Sequence, residues 1–290
     1  MTTRQALAGA LAVVVTCLSA CGADEKNGDG KGTTAPTPKV LEGTFDVGDH
    51  ELAMRCEGSG SPTVVYLHGL SHTEDAAEAN AASAASLPES IARKHRFCAY
   101  DRANVGQSGD VDGPLSATSS TRDLQRLLTV AKVEPPYVLL GASFGGLVAE
   151  VFASENPSDV TGMLLLDAGF PDELDLETFF PEDERLGHGK NHPVSGWADT
   201  HELMDELAAY EDAQKAADRT PKIPMTYLLA DPPSFDGPGG YAKAYPKELD
   251  EFASRYSPGV VKTVPSDHYM EAAIPDRIVA ELEKVMAEAG

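Results

Sequence analysis

A serine set among small residues is the first feature of the sequence that could do chemistry. Ser143 is the central residue of Gly141-Ala142-Ser143-Phe144-Gly145, a G-x-S-x-G pattern. An apolar run precedes this pattern and an amphipathic segment follows it, as at a tight turn from a strand to a helix. Such a turn strains the backbone at the serine and exposes its hydroxyl, and it needs small neighbours because strand and helix approach closely. We therefore expect Ser143 to be a nucleophile.

A serine hydroxyl is a weak nucleophile without a base, so a histidine is needed beside it. Of the 8 histidines, only His268 lies in a predicted loop between the last strand, "GVVKTVP", and the final helix, "IPDRIVAELEKVMAEA". We expect His268 to take the proton from Ser143. The other seven are His50, His68, His72, His95, His188, His192 and His201.

The elements that must position these residues follow an alternating pattern. From residue 40 onward, strand-like and helix-like segments alternate, which is typical of an α/β sheet covered by helices on both faces. Residues 43–58 predict a hairpin that turns at Gly48-Asp49. Residues 171–222 interrupt the alternation with an acidic segment that holds one convincing helix, over residues 198–217. We interpret this segment as an insertion.

Four motifs in this order resemble the α/β-hydrolase superfamily, close to its bacterial secreted or lipoprotein members. They are "YLHGL", "CAYDRANVGQS", "YVLLGASFGG", and "SDHY" with "PD" after it. The resemblance covers residues 40–290 apart from the insertion. It implies a mostly parallel, doubly wound sheet of about eight strands, with residues 171–222 as a helical cap. Ala142 departs from the pattern, because relatives commonly carry histidine there, but that position takes no part in the chemistry.

The acid that completes a Ser-acid-His order is the contested residue. In many members of the superfamily it follows the strand that "IPMTYLLA" resembles, and Asp231 and Asp236 flank that point. Some lipases of the superfamily instead take it from the strand after the serine turn, where Asp167 ends an apolar run. A carboxylate in that place is costly to desolvate unless it has a partner such as His268. We favour Asp167 and keep Asp231 and Asp236 as alternatives.

The resemblance also implies an oxyanion hole and a supporting loop. In the family, the amide after an HG pair donates to the oxyanion, and here that amide belongs to Leu70; the amide of Phe144 is the second donor. We interpret His68 as a structural residue that holds this loop. Asp101 and Arg102 match a family pattern after the fourth strand, and we interpret them as scaffolding.

The N-terminus predicts a leader and a lipid anchor. Arg4 precedes the apolar run "ALAGALAVVVTCLSA", which is too short to span a bilayer. The run leads into Leu18-Ser19-Ala20-Cys21, which resembles the lipobox of bacterial lipoproteins. That resemblance implies a signal peptide over residues 1–20, acylated Cys21, and an extracytoplasmic, membrane-anchored protein; the alternative is an ordinary signal peptide cut after Ala20. Residues 21–39 are rich in Gly, Pro, Thr and charge and predict a flexible tether.

This compartment changes the interpretation of the remaining cysteines. Cys17 leaves with the leader and Cys21 is acylated, which leaves Cys56 and Cys98. Outside the cytoplasm such a pair favours a disulfide, with two buried free thiols as the alternative. The resemblance puts the two residues on the second and fourth strands, which are neighbours in the family's sheet.

Several classes of partner are disfavoured. The formal charge of −23 opposes binding to nucleic acid, whose phosphates need Lys and Arg. The pairs His68/His72 and His188/His192 have a zinc-like spacing but do not lie on predicted helices, so we expect no metal. No cofactor is needed for a Ser-His-Asp mechanism. We expect a monomer that acts on a small-molecule ester or acyl substrate.

The sequence therefore predicts a serine hydrolase that cleaves esters or thioesters. The same triad also serves amidases, lactonases, acyltransferases and perhydrolases, and a non-catalytic ligand-binding lipoprotein could use the same fold. The cap offers five large side chains that either line the acyl pocket or anchor the cap to the core: Phe179, Phe180, Leu186, Trp197 and Met204.

Overall fold

A central sheet of eight strands organises the molecule in the computed structural model, which describes residues 40–70, 86–186, 203–233 and 237–290. The strand order is β1-β2-β4-β3-β5-β6-β7-β8. β1 pairs antiparallel with β2, β2 pairs antiparallel with β4, and the remaining pairs are parallel. The strands are β1 (Leu41–Asp46), β2 (Glu51–Glu57), β3 (Thr63–Leu67), β4 (Arg96–Tyr100), β5 (Tyr137–Ala142), β6 (Val160–Leu166), β7 (Met225–Asp231) and β8 (Gly259–Pro265).

Helices connect the parallel strands and cover both faces of the sheet. The described helices are α1 (Ser86–Ala92), α2 (Ala117–Val130), α3 (Gly145–Glu155), α4 (Glu173–Leu176), α5 (Glu206–Ala217), α6 (Tyr241–Ala253), α7 (Met270–Ala273) and α8 (Pro275–Ala289). Two 3₁₀ turns, Glu177–Phe179 and Glu182–Glu184, lie between α4 and α5. The predicted fold class, a mostly parallel sheet of about eight strands, is confirmed.

The side chains of each central strand alternate between two apolar cores. On β5, Leu139 packs with α2, α3, α5 and α6, whereas Val138 and Leu140 pack with α1 and α8. All six residues of β5 are buried, as a strand between two helical layers requires. This buried strand carries the serine turn at its carboxyl end.

A disulfide links two neighbouring strands near the antiparallel edge of the sheet. β1 and β2 form the predicted hairpin, and Gly48, with φ of 120°, lies in its turn. Cys56 and Cys98 are register partners on β2 and β4 and are bonded to each other. The expectation of a disulfide between these two cysteines is confirmed.

The segment between β6 and β7 contains α4, the 3₁₀ turns and α5, with no strand in its described part. The helix predicted over residues 198–217 was placed too early, because within the described residues it begins at Glu206. Leu203 and Met204 instead pair with Leu115 as an isolated bridge. The carboxylate of Asp205 then caps the helix by accepting the N–H of Ala208 at 2.9 Å.

Candidate active site

Ser143 lies in the sharp turn between β5 and α3, at the carboxyl end of the sheet. Its φ is +50°, in the left-handed region that costs an ordinary residue about 1–3 kcal/mol. Backbone hydrogen bonds on both sides hold the turn: the Ser143 N–H donates to Leu166 O at 3.1 Å, and the Ser143 carbonyl accepts the N–H of Gly169 at 2.9 Å. Ser143 is partly exposed, although both elements that carry it are buried. The turn therefore presents the serine above the sheet.

Glycines let α3 start this close to the sheet. A Cβ on Gly145 would lie 2.0 Å from Leu67 O, and one on Gly146 would lie 2.5 Å from Gly169 O. Any larger residue would force the helix away from the ends of β3 and β6. The small residues that flank the serine in the sequence are thus explained by backbone contact.

The imidazole of His268 and the carboxylate of Asp167 form a direct pair. His268 Nδ1 lies 2.8 Å from Asp167 Oδ2, in the loop between β8 and α7. The other carboxylate oxygen, Oδ1, accepts the N–H of Ala230 at 3.1 Å. The side chain of Asp167 is 1% exposed and that of His268 is 27% exposed. The hydrogen bond that His268 donates to the Asp167 carboxylate raises the pKa of His268 above its ordinary value of 6.5.

Asp167 reaches this position because it follows β6 directly. Its φ of +41° turns the chain out of the strand, and its N–H donates to Leu228 O on β7 at 2.8 Å. The alternative acid Asp231 is exposed at the end of β7, where its backbone pairs with Pro265 and Ser266. The geometry brings His268 together with Asp167 and leaves Asp231 at the surface. Asp236 lies outside the described residues.

The loop after β3 lies directly against the serine. A Cβ built on Gly69 would come 3.0 Å from Ser143 Cβ and 3.6 Å from Ser143 Oγ. Leu70 follows Gly69 and is partly buried against the core, and Phe144 follows Ser143 directly as the residue before the first turn of α3. The two residues whose amides we expect to bind an oxyanion therefore flank Ser143.

A buried guanidinium holds that loop in place. Arg102 Nη1 donates to His68 O at 2.6 Å and Nη2 donates to Gly69 O at 2.7 Å. The side chain is 2% exposed, and its guanidinium carbon lies 5.2 Å from the centre of the Phe144 ring. One cation thus contacts both segments that flank Ser143, which agrees with the scaffolding role predicted for Arg102.

His68 and Asp101 complete the support. His68 Nδ1 lies 2.7 Å from Gly69 O, and its Nε2 lies 3.3 Å from the backbone N of Arg102. A neutral imidazole with the proton on Nδ1 satisfies both contacts. Asp101 Oδ2 accepts the N–H of Gln107 at 3.0 Å and shapes the loop after β4. The structural interpretations of His68 and Asp101 agree with these contacts.

The large side chains of the cap divide between surface and core. Phe179 is 39% exposed, Leu186 is partly buried, and Met204 is fully buried in the core. Phe180 packs edge-on against Tyr241 with ring centres 5.4 Å apart. Met204 and Phe180 thus support the interpretation that these residues anchor the cap.

Sequence reasoning missed three polar side chains near the site. Glu173 and Tyr210 meet in the cap, where the Tyr210 hydroxyl donates to Glu173 Oε2 at 3.1 Å. Glu271 accepts the hydroxyl of Tyr66 at 2.7 Å just after the His268 loop. No local pattern separates Glu173 from the other acidic residues of the cap, whereas Glu271, three residues after His268, could have been noticed by proximity.

Some predictions concern residues without a described position. Among the residues that the structure does describe, no group of three or more His, Cys, Asp and Glu side chains is arranged to hold a metal ion. In that same part of the chain, no helix combines the length and apolar character needed to cross a membrane. The predictions that lie outside the described residues concern the leader over residues 1–20, the tether over residues 21–39, Cys17, Cys21, His72, His188, His192 and Trp197.

Comparisons with known proteins identify similar sequences and similar structures. A sequence model described as the alpha/beta hydrolase family matches residues 64–290. The uncharacterised protein YqjL of Bacillus subtilis is 34% identical over 97 residues, which are 33% of this chain and 38% of that protein. The chain thus matches well under two thirds of this relative's length.

Solved structures show the same fold at low identity. Alpha/beta hydrolase domain-containing protein 10 from mouse has a TM-score of 0.61 and 14% identity, covering 86% of this chain and all of that one. The enol-lactonase from Burkholderia xenovorans LB400 has a TM-score of 0.56 and 14% identity, covering 85% and 100%. Because the family model spans most of the sequence, and the sheet order and the serine turn agree with it, the chain belongs to the alpha/beta hydrolase family.

Proposed function

We propose that the protein is a serine hydrolase that cleaves carboxylic esters, including thioesters, through an acyl-enzyme intermediate. The single observation that carries this proposal is the Asp167–His268 pair at 2.8 Å, at the same end of the sheet as Ser143 in its strained turn. A buried carboxylate on Nδ1 keeps the proton on that nitrogen and makes Nε2 the basic nitrogen of the ring. An arrangement of this kind is costly to maintain for packing alone.

The chemistry follows from the roles of these atoms. Ser143 Oγ attacks the ester carbonyl while His268 Nε2 takes its proton, and Asp167 stabilises the imidazolium. The amides of Leu70 and Phe144 bind the oxyanion of the tetrahedral intermediate. His268 then returns the proton to the leaving alcohol, and an acyl-serine remains. Water, deprotonated by His268, releases the carboxylic acid and restores Ser143.

A fluorophosphonate probe tests the nucleophile directly, because it phosphonylates an activated serine. We expect wild-type protein to be labelled, Ser143→Ala to be unlabelled, and the exposed control Ser254→Ala to be labelled like wild type. Labelling that survives in Ser143→Ala would contradict the assignment. A folded wild type that takes no label and cleaves no 4-nitrophenyl ester or acyl thioester would favour a non-catalytic ligand-binding protein.

We also propose that the mature protein is anchored outside the cytoplasm through lipid on Cys21, with residues 1–20 removed, residues 21–39 as a tether and residues 171–222 as a cap over the hydrolase domain, residues 40–290. The Cys56–Cys98 disulfide supports an oxidising compartment. Fractionation of cells that express Cys21→Ala is the test. The variant should move from the membrane to a released fraction, and unchanged membrane retention would contradict lipidation.

A further inference from the structure

The cap places a carboxyl group beside the candidate active site that the proposed mechanism does not use. Glu173 is the first residue of α4, and its N–H donates to Phe170 O at 3.1 Å, so the start of the cap fixes its backbone. Its Oε2 accepts the hydroxyl of Tyr210, on α5, at 3.1 Å. Both side chains are partly buried. The pair therefore joins the two helices of the cap near their contact with the core.

Tyr210 lies close to the nucleophile. A Cβ built on Gly169 would lie 3.4 Å from the Tyr210 hydroxyl oxygen, and the N–H of Gly169 donates to Ser143 O at 2.9 Å. Ser143, Gly169, Tyr210 and Glu173 all keep part of their surface exposed, although most residues around them are buried. The Glu173–Tyr210 pair thus lies beside Gly169, whose backbone is bonded to that of Ser143, and it is partly exposed like the serine.

Aromatic rings surround the carboxyl group. Tyr241, on α6, lies close enough to Glu173 that burial and the negative charge of Glu173 raise the pKa of the Tyr241 phenol. Tyr241 packs against Phe180 and Tyr245, with ring centres 5.4 and 5.8 Å away. A carboxylate beside phenol groups is an environment that attracts an organic ammonium ion, through the negative charge and through the phenol oxygens, which accept N–H groups.

Among the described residues, the charged groups that act on Glu173 are negative. Burial, with smaller contributions from the negative charges of Asp167 and Glu177, raises the pKa of Glu173 to about 7. An ammonium ion beside Glu173 would reverse this penalty, because an opposite charge favours the ionised carboxyl. A neutral or anionic ligand would not.

We infer that Glu173, Tyr210 and Tyr241 form a subsite for an ammonium group, so that the preferred esters carry a primary amine on the part of the substrate that extends into the cap. This inference rests on the proposed function, since it treats the opening above Ser143 as the substrate site. The ammonium N–H groups donate to the Glu173 carboxylate and to the phenol oxygens beside it.

Binding of small probes to the whole protein tests the subsite without relying on catalysis. Titration calorimetry at about pH 8, where both Glu173 and an alkylamine are charged, would compare n-butylammonium, n-butanol and butyrate. We expect n-butylammonium to bind wild type roughly tenfold more tightly than n-butanol. Glu173→Gln should remove this preference, and Glu173→Asp, which keeps the charge, should restore part of it. Asp175→Asn removes an exposed carboxylate from the same helix and should leave the preference unchanged.

The following results would contradict the ammonium subsite. Equal affinity of wild type for the amine and the alcohol contradicts it, and that comparison needs no variant. An equal loss in Glu173→Gln and Asp175→Asn would mean that only the general negative charge of the protein attracts the amine. Fluorophosphonate labelling without amine preference refutes the subsite alone, whereas a Glu173-dependent preference in a protein that takes no label refutes the proposed hydrolase alone.

Discussion

The carboxylate of Asp167 lies 2.8 Å from the imidazole of His268, although 101 residues separate the two in the sequence. The parallel order of β6, β7 and β8 creates this relationship, because the carboxyl ends of adjacent parallel strands meet at one edge of the sheet. Asp167 leaves β6 with a φ of +41°, and its carboxylate accepts the N–H of Ala230 on β7. The loop after β8 then needs only three residues to bring His268 to it.

The first prediction separates the two candidate acids. Asp167→Asn should lower kcat by roughly 10³–10⁴-fold, because the amide favours the wrong imidazole tautomer while the shape of the site is kept. Asp231→Asn should change kcat by less than about threefold, since Asp231 is exposed. Steady-state hydrolysis of a 4-nitrophenyl ester by both variants is the measurement. The reverse ranking would assign the acid to the loop after β7.

The second prediction concerns pH. In the proposed mechanism catalysis needs neutral His268, whose pKa is raised mainly by the hydrogen bond to the Asp167 carboxylate, so kcat/KM should fall on acidification with a midpoint above pH 6.5. In Asp167→Asn the midpoint of the residual activity should move to lower pH. A profile that is the same in both proteins would contradict the pairing.

The same pKa shift affects stability with a defined sign. Because folded His268 binds its proton more tightly than unfolded His268, this contribution to the free energy of unfolding is complete below about pH 6.5. It is lost as the pH rises through the folded pKa. The stability difference between wild type and Asp167→Asn should therefore be larger at pH 5.5 than at pH 9, as urea titrations at the two values would measure.

The sequence alone predicted several features of the candidate site and of the sheet. Ser143 was identifiable because a strained turn needs glycines on both sides, and His268 because a single histidine follows the last strand. The disulfide was predictable because only Cys56 and Cys98 remained, and the hairpin because Gly48 lies between two strands. For the serine turn and the hairpin, the physical requirement lies within a few adjacent residues, whereas the disulfide followed from the small number of cysteines and joins positions 42 residues apart.

The parts that the sequence left open depend on three-dimensional packing. Whether Asp167 or Asp231 meets His268 depends on the strand order and on a positive φ at Asp167, and neither is visible in residue types. The helix over residues 198–217 was placed too early because Leu203 and Met204 pair with Leu115, a contact 89 residues away in the sequence. In the sequence, Glu173 is one of several acidic residues of the cap. Only the structure shows that Tyr210 and Tyr241 lie close to it.

The third prediction addresses Arg102. Arg102→Met keeps much of the buried volume but removes the two hydrogen bonds to His68 O and Gly69 O. The unfolding free energy should fall by roughly 3 kcal/mol, since two hydrogen bonds from a buried charged donor are lost. Because the loop that carries the Leu70 amide is released, kcat should fall by about 10- to 100-fold, less than for deletion of an oxyanion donor itself.

Arg122→Met is the matched control for Arg102→Met, since Arg122 is exposed on α2. It should leave both kcat and the midpoint of urea unfolding close to the wild-type values. A loss of stability in Arg102→Met without a loss of kcat would show that the guanidinium supports the fold but does not position the oxyanion loop.

The fourth prediction concerns the Cys56–Cys98 disulfide, which closes a loop with a sequence separation of 42 residues. In the chain-entropy model such a cross-link destabilises the unfolded state by about 4 kcal/mol at 25 °C. Protein that is reduced in denaturant and refolded with dithiothreitol should therefore unfold at a temperature roughly 10 °C lower than oxidised protein.

The double variant Cys56→Ala/Cys98→Ala is the control, and it should unfold at the same temperature with and without dithiothreitol. Because both cysteines lie on β2 and β4, away from the carboxyl ends that carry Ser143 and Asp167, reduced protein that is still folded should keep its esterase activity. Equal unfolding temperatures of reduced and oxidised wild type, with both thiols shown to be free by titration, would mean that strand pairing alone holds this edge of the sheet.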